Sequence, residues 1–81
     1  MKIYVSNLSF QAVDNDLRKL FSAFGVVSAA NVVMDNYTRR SRGFAFIDME
    51  DRNAGETAVA SLHNSTFMQK TIQVREASVS K

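Results

Sequence analysis

The chain has 81 residues, which is enough for one small domain, and its 46% of apolar residues are too many for a disordered tail. It contains no cysteine, which excludes disulfides, thiol chemistry and cysteine-based zinc sites, and its single histidine, His63, cannot form a metal site alone. Ten basic and eight acidic residues give a net charge of +2, too small to identify a nucleic-acid partner by itself. No apolar run approaches the ~20 residues of a membrane span, and the start lacks the apolar stretch of a signal peptide. We therefore expect an intracellular protein, cytoplasmic if bacterial.

The first half of the chain predicts a strand, a helix and a second strand. Residues 3–6 are β-prone and alternate apolar with other side chains, which indicates a strand. Four large apolar residues then recur at helical spacing: Leu17, Leu20, Phe21 and Phe24. We expect Asp14 or a neighbour to cap this helix and Gly25 to end it in the left-handed conformation. Residues 26–34 are β-branched and apolar, which predicts a strand with little contrast between its faces.

The second half predicts a turn, a strand, a helix and a last strand. Residues 35–42 are polar and turn-like, and residues 43–50 alternate as a strand does, with one apolar face made of Ala45, Ile47 and Met49. Residues 51–62 have helical spacing and should bury Gly55, Ala58, Val59 and Leu62. Asn64 is a candidate left-handed cap, and residues 72–75 should form the last strand with Ile72 and Val74 inward.

The order of these elements is β-α-β-β-α-β. This order predicts an α+β fold of the ferredoxin-like type, in which two helices pack on one face of a four-stranded antiparallel sheet. Right-handed crossovers would place the first and third strands side by side in the middle of the sheet.

Three aromatic residues fall on the sheet face that the helices should leave open. Strand parity places Tyr4, Phe44 and Phe46 there, on the two central strands. Exposed aromatic patches are costly and tend to mark binding sites. Unpaired bases have flat faces that stack on such rings, so single-stranded RNA is the partner that fits this surface. A cluster of arginines directly before Phe44 could supply charge, although such a cluster is usually only a solvated loop.

Two segments carry a resemblance to a known family. Residues 3–8, Ile-Tyr-Val-Ser-Asn-Leu, resemble the RNP2 signature of the RNA-recognition-motif family, and residues 42–49, Arg-Gly-Phe-Ala-Phe-Ile-Asp-Met, resemble its RNP1 signature. The two occur with the family's helix and loop spacing, and the similarity covers essentially the whole chain. It implies a single domain over residues 1–81, similar to small bacterial or organellar RNA-binding proteins of this family.

The resemblance also implies roles for individual residues. Tyr4 and Phe44 would each stack on a base, Phe46 would lie against the sugars, and Arg42 would pair with a phosphate. Further candidates for guiding or contacting RNA are Arg39 and Arg40 in the loop before Phe44, and Lys2, Asn31, Gln73 and Arg75 on the open face. Backbone groups of Ala77 would read a base edge.

The chain departs from the family pattern at three positions. Met49 replaces the usual aromatic at the end of RNP1, Val13 occupies a place where a capping Thr or Ser is common, and Arg39 replaces a glycine frequent in the basic loop. None of these departures touches the three rings, so the implied stacking is unchanged.

Other functions remain open at this point. A protein-binding module could use the aromatic sheet or a soft surface formed by Met34, Met49 and Met68. Single-stranded DNA could stack equally well, since only 2′-hydroxyl contacts distinguish RNA. The chain has no catalytic triad and no glycine-rich phosphate loop, so we do not expect an enzyme. We expect a monomer that binds single-stranded RNA without a metal or small-molecule cofactor.

Overall fold

The computed structural model describes residues 1–77, so the last four residues of the predicted 1–81 domain lie outside the described residues. It has two helices and six strands in that part of the chain, in this order: β1 (Lys2–Ser6), α1 (Asp14–Ser22), β2 (Val27–Met34), β3 (Ser41–Met49), α2 (Arg52–Leu62), β4 (Thr66–Phe67), β5 (Lys70–Thr71) and β6 (Gln73–Glu76). The third strand and the second helix begin and end within two residues of their predicted bounds.

The main sheet has four strands in the order β2-β3-β1-β6, and every neighbouring pair is antiparallel. The central position of β1 and β3 confirms the prediction. Both helices contribute to the same core as the inward residues of the sheet, through Leu17, Phe21, Ala58 and Leu62. The ferredoxin-like architecture predicted from the order of elements is thus confirmed, with one sheet face covered by helices.

The alternation predicted for the third strand is also confirmed. Ala45, Ile47 and Met49 are fully buried, while Phe46 on the opposite face is exposed. Within α1, Leu17 and Phe21 are buried completely. The other two members of the predicted helical stripe, Leu20 and Phe24, and the predicted core residue Val59 are half-buried and pack against the edge of the core.

β2 lacks a clear inside and outside because its pairing with β3 is irregular. Val27 pairs with Met49 and Ala29 with Asp48, so Ser28 is an extra residue in β2. A bulge of this kind reverses the side-chain parity of the strand residues after it. Val27 and Ala30 are therefore both buried although their spacing is odd, which explains the weak face contrast in the sequence.

The start of α1 is capped by neighbours of Asp14, one of the two possibilities that the sequence left open. Val13 is the N-cap and has no side-chain acceptor; the Asp16 carboxylate instead accepts a hydrogen bond from the Val13 N–H at 3.0 Å. Asp14 itself, the first candidate for the cap, accepts from the backbone N–H of Val32 at 2.7 Å, on the outer side of β2. The Asp14 carboxylate therefore links α1 to β2 by a hydrogen bond, instead of accepting one from the N–H groups of its own helix.

The prediction that Gly25 ends α1 in the left-handed conformation is wrong. The helix ends at Ser22, and its C-cap, Ala23, has φ −63°. Gly25 is needed for space: a Cβ there would lie 2.7 Å from the Cβ of Ala54 on α2. The glycine permits close approach of the segment before β2 to the second helix.

The end of α2 leads into a small hairpin that the sequence patterns did not predict. Asp51 caps α2 by accepting from the Ala54 N–H at 3.1 Å, and Asn64 takes the left-handed conformation predicted for it, with φ 63°. Strands β4 and β5 then pair as a separate two-stranded sheet. The last strand begins at Gln73 rather than at residue 72, although Ile72 is buried as predicted.

Side chains also accept hydrogen bonds from backbone N–H groups of both outer strands of the main sheet. Asp14 takes the Val32 N–H of β2, and His63 Nδ1 accepts from the Val74 N–H of β6 at 3.0 Å. His63, the lone histidine, therefore has a structural role at the sheet edge. Within residues 1–77 no helix is long and apolar enough to cross a membrane.

Candidate nucleic-acid interface

The register of the four strands aligns one row of side chains across the open sheet face. This row consists of Asn31, Phe46, Tyr4 and Arg75, one residue from each strand of the main sheet. Two rings therefore occupy the centre, with an amide at one edge and a guanidinium at the other. The row brings together four of the residues predicted from parity alone.

The rows on either side hold the remaining predicted residues of this face. Ser6 pairs with both Phe44 and Gln73, and Lys2 pairs with Asp48. Phe44 thus lies in the row on one side of the Tyr4 row. In the row on the other side, the ammonium of Lys2 lies opposite the carboxylate of Asp48.

The three rings contact one another. The centroids are 5.4 Å apart for Tyr4 and Phe46, 5.8 Å for Tyr4 and Phe44, and 6.4 Å for Phe44 and Phe46. The planes are tilted by 47° to 90°, in the edge-to-face range that aromatic pairs prefer. Phe46 remains 36% exposed, and the other two are half-buried by this mutual contact. We call these three rings the aromatic platform.

The cation of Arg75 lies against one ring of the platform. Its guanidinium carbon is 5.2 Å from the centroid of Tyr4, a cation–π contact. The two residues line a shallow depression together with Phe46, Glu76 and Ala77. A ring face, a cation and backbone polar groups therefore converge at this end of the platform.

Some predicted contact groups already have partners within the protein. The Ala77 N–H donates to the carbonyl of Lys2 at 2.8 Å, and the Gln73 side-chain amide donates to Asn64 Oδ1 at 2.7 Å. Because the Ala77 N–H is already bonded, only its carbonyl oxygen would be available to contact a base edge. The Lys2 side chain and the Asn31 amide are exposed.

The basic loop between β2 and β3 contains a turn, as the polar residues 35–42 predicted. Asp35 organises it: its N–H donates to the Arg40 carbonyl at 2.8 Å, and its carboxylate accepts from the N–H groups of Tyr37 and Thr38 at 2.8 and 3.0 Å. These backbone donors, Thr38 first, lower the pKa of the Asp35 carboxyl, with a further contribution from the Arg42 charge. Arg39 has φ 60°, the conformation that glycine adopts most easily at such a position.

The three arginines of this segment are all exposed. Arg39 and Arg40 project from the turn, and Arg42 lies on β3 two residues before Phe44. Tyr37 at the same turn is 98% exposed and was not predicted as a site residue. Its signal in the sequence is an aromatic residue within a polar, arginine-rich turn.

Sequence reasoning also missed an aromatic residue at the end of the central strands. Phe10, in the loop after β1, is 73% exposed, and its Cε1 lies 3.1 Å from the place where a Cβ on Gly43 would stand. Gly43, the third residue of β3, has φ +84°, a conformation that glycine adopts most easily, and its carbonyl accepts the Leu8 N–H at 2.9 Å. The available signal was a single large apolar residue in an otherwise polar loop.

The comparison with protein families matches this chain, over residues 3–73, to the model described as RNA recognition motif. The chain belongs to the RNA recognition motif family. The matched residues contain the whole aromatic platform, whereas Lys2, Arg75 and Ala77 lie outside them.

Relatives and solved structures agree with this assignment. The chain is 38% identical over 77 residues to the protein RbpE of Nostoc sp. (strain PCC 7120), covering 95% of this chain and 78% of that protein. It resembles the crystal structure of RNA binding protein PG1 with a TM-score of 0.95 and 38% identity, over 100% of this chain and 98% of that one. It also resembles a chain from the Sxl-lethal protein/RNA complex, with a TM-score of 0.89 and 29% identity, over 94% of this chain and 47% of that one. The RNA recognition motif fold thus extends over all the described elements.

Proposed function

We propose that this RNA recognition motif binds single-stranded RNA on its open sheet face, where Tyr4 and Phe44 each stack on a base and Phe46 lies against the sugars. The observation that carries the proposal is the platform itself: three aromatic rings within 6.4 Å of one another on the face opposite the helices. A flat, unpaired base matches such a surface, whereas a duplex hides its base faces. The RNA complex of the Sxl-lethal relative supports the same partner.

Stacking energies decide how much additional help the rings need. Each base stacked on an aromatic ring contributes roughly 1–3 kcal/mol. Micromolar binding requires about 8 kcal/mol, so two or three stacks barely reach it before ordering costs are subtracted. The cations around the platform must therefore contribute.

The positions of the cations support a division of roles. Arg75 lies over Tyr4, where it can contact the phosphate or the base that approaches that ring. Arg42, on β3 two residues before Phe44, would pair with the next phosphate, and the exposed Arg39 and Arg40 would extend the positive charge beyond the sheet. Lys2, Asn31 and Gln73 supply polar groups around the rings, and Ala77 supplies its carbonyl.

Titration of a fluorescent single-stranded RNA with ring variants tests the proposal. Phe44→Ala and Phe46→Ala should each weaken binding by about 1–3 kcal/mol, because each removes one flat surface. Phe44→Tyr keeps a ring and should bind normally, whereas Phe44→Leu keeps apolar volume but no flat ring face and should bind as weakly as Phe44→Ala. Circular dichroism confirms that each variant is folded.

Two results would contradict the proposal. Normal RNA affinity in a folded protein with both Phe44 and Phe46 replaced by alanine would exclude stacking on the platform. Binding of a peptide partner that persists with excess RNA would assign the sheet to a protein instead.

A matched DNA oligonucleotide distinguishes RNA binding from general single-strand binding. The DNA should bind more weakly if the protein contacts the 2′-hydroxyls of RNA. The biological role we propose is post-transcriptional.

A further inference from the structure

A second surface with the chemistry of a binding site lies beyond the aromatic platform. A groove of about 640 Å³ opens between the β1–α1 loop and the β4–β5 hairpin. It is lined by Ser9, Phe10, Gln11, Met68, Gln69 and Lys70. None of these six residues was predicted to contact RNA, and we call this surface the loop groove.

One wall of the loop groove is an exposed ring that the backbone holds in place. Phe10 is 73% exposed, an unfavourable position for a large apolar side chain unless something covers it. The loop around it is ordered: the Gln11 N–H donates to Ser9 Oγ at 3.1 Å, and the Ala12 N–H donates to the Ser9 carbonyl at 3.1 Å. The ring is therefore presented by an ordered loop.

Phe10 also contacts the strand that carries two rings of the platform. Its ring packs on Gly43, where a Cβ would lie 3.1 Å from its Cε1, so the absence of a side chain makes room for it. Gly43 is followed directly by Phe44, the outermost ring of the platform. An RNA strand that extends past the Phe44 ring at this end of β3 would therefore come to the loop that carries Phe10.

The opposite wall is the tip of the β4–β5 hairpin. Met68 and Gln69 have φ 51° and 69°, the left-handed conformation that a two-residue hairpin turn requires. Residues other than glycine adopt this backbone conformation at a cost in free energy. Asn7, which follows β1, donates from Nδ2 to the Thr71 carbonyl at 2.8 Å and fastens the hairpin to the end of the sheet.

We propose that the loop groove is a further nucleotide subsite for the same RNA strand, with a base stacked on Phe10 beside Met68 and a phosphate on Lys70. This inference rests on the proposed function of the platform. The lining combines one aromatic ring, one ammonium group, two side-chain amides and a hydroxyl, and it contains no carboxylate. That set suits an anionic ligand with a flat base and hydrogen-bonding edges, as a nucleotide has.

The length of the RNA separates this subsite from the platform. We compare an oligouridylate of about four nucleotides, enough for the platform, with one of about ten, which reaches the groove. Phe10→Ala should weaken binding of the longer oligonucleotide by about 5- to 30-fold, the equivalent of one modest stack, and leave the shorter one unchanged. Lys70→Gln should reduce the salt slope by about 0.7, again for the longer oligonucleotide alone.

Matched variants control for indirect effects. Phe10→Tyr keeps the ring and should bind both oligonucleotides normally, and Val13→Ala removes another exposed apolar side chain that does not line the groove. Urea unfolding shows whether Phe10→Ala remains folded. As a second measurement, the amide signals of Gln11 and Gln69 should shift in nitrogen–proton NMR spectra with the longer RNA but not with the shorter.

The outcomes distinguish the two proposals. If Phe44→Ala weakens both oligonucleotides and Phe10→Ala weakens neither, the platform binds RNA and the subsite is refuted. If a folded Phe44→Ala protein binds both as tightly as the unaltered protein, the platform proposal fails and this inference fails with it. Amide shifts that are equal with the two lengths would also overturn the subsite.

Discussion

The guanidinium of Arg75 lies over the ring of its register partner Tyr4, with 5.2 Å between the guanidinium carbon and the ring centroid. Such a contact contributes about 0.5–1 kcal/mol at an exposed site. This energy is smaller than that of a stacked base or a phosphate pair. If the proposed site binds RNA, a base could therefore replace Arg75 on the Tyr4 face and leave the guanidinium to pair with a phosphate.

Replacing Arg75 should accordingly change the salt dependence of RNA binding. Arg75→Gln would remove the phosphate contact that we propose for this residue, and the slope of log affinity against log salt should become shallower by about 0.7. Lys19→Gln is the matched control, because Lys19 is an exposed cation on α1, in the helical layer. Titrations over a range of salt concentrations measure both slopes. Equal slopes for the two variants would mean that Arg75 contacts no phosphate.

The basic loop should contribute through its charge. Replacing Arg39, Arg40 and Arg42 together with glutamine should flatten the same slope by about 0.7 for each phosphate that is no longer paired with a cation. The corresponding triple lysine variant keeps the charge and should keep the slope, although it lacks the bidentate geometry of arginine. An unaltered slope in the glutamine variant would show that the loop does not touch the RNA backbone.

Gly25 should be intolerant of a side chain for steric reasons. Its added Cβ would stand 2.7 Å from the Cβ of Ala54, so Gly25→Ala should lower the free energy of unfolding by about 1–3 kcal/mol. Ala54→Gly removes the obstacle at a cost of about 1 kcal/mol for glycine in a helix. In that background Gly25→Ala should cost much less. Urea unfolding of the four proteins measures this coupling, and additive losses would contradict the steric explanation.

Glu76 should make the free energy of unfolding depend on pH in the acidic range. Hydrogen bonds from the Arg52 guanidinium, at 2.8 and 3.3 Å, hold the pKa of Glu76 below its ordinary value of 4.5. Because the folded pKa is the lower one, this contribution is complete above pH 4.5 and is lost as the pH falls through the lowered pKa.

The measurement is the free energy of unfolding as a function of pH. Glu76→Gln cannot titrate, so its unfolding free energy should fall less steeply than that of the unaltered protein below pH 4.5. Asp35 has the same sign of dependence, since backbone hydrogen bonds from Thr38 and Tyr37 also lower its pKa, and it titrates in both proteins. Parallel curves would show that the Arg52–Glu76 pair adds nothing to stability.

Much of this fold could be predicted because the residues that define it follow simple periods. Ala45, Ile47 and Met49 alternate with Phe44 and Phe46 as strand geometry requires, and the structure buries the first set and leaves the second on the open face. Parity predicted that Tyr4 and Phe46 share this face, and the cross-strand register then makes them direct partners.

Features that depend on contacts between distant residues could not be predicted in this way. Gly25 looked like a helix terminator, but its role is set by Ala54, which is far away in sequence. Asp14 looked like a cap, but its carboxylate reaches Val32. The β4–β5 hairpin has two residues per strand and a Met-Gln turn, so it has neither the length nor the glycine that usually mark a hairpin.

The carboxylate of Asp14 and the imidazole of His63 have a consequence for association between molecules. An exposed outer strand normally offers its N–H groups to a strand from another chain, the first step towards edge-to-edge aggregation. Here the Val32 and Val74 donors, one on each outer strand, are already engaged. A strand from another molecule would therefore meet one N–H group that is already bonded on each outer strand, while the aromatic platform lies on the open face between them.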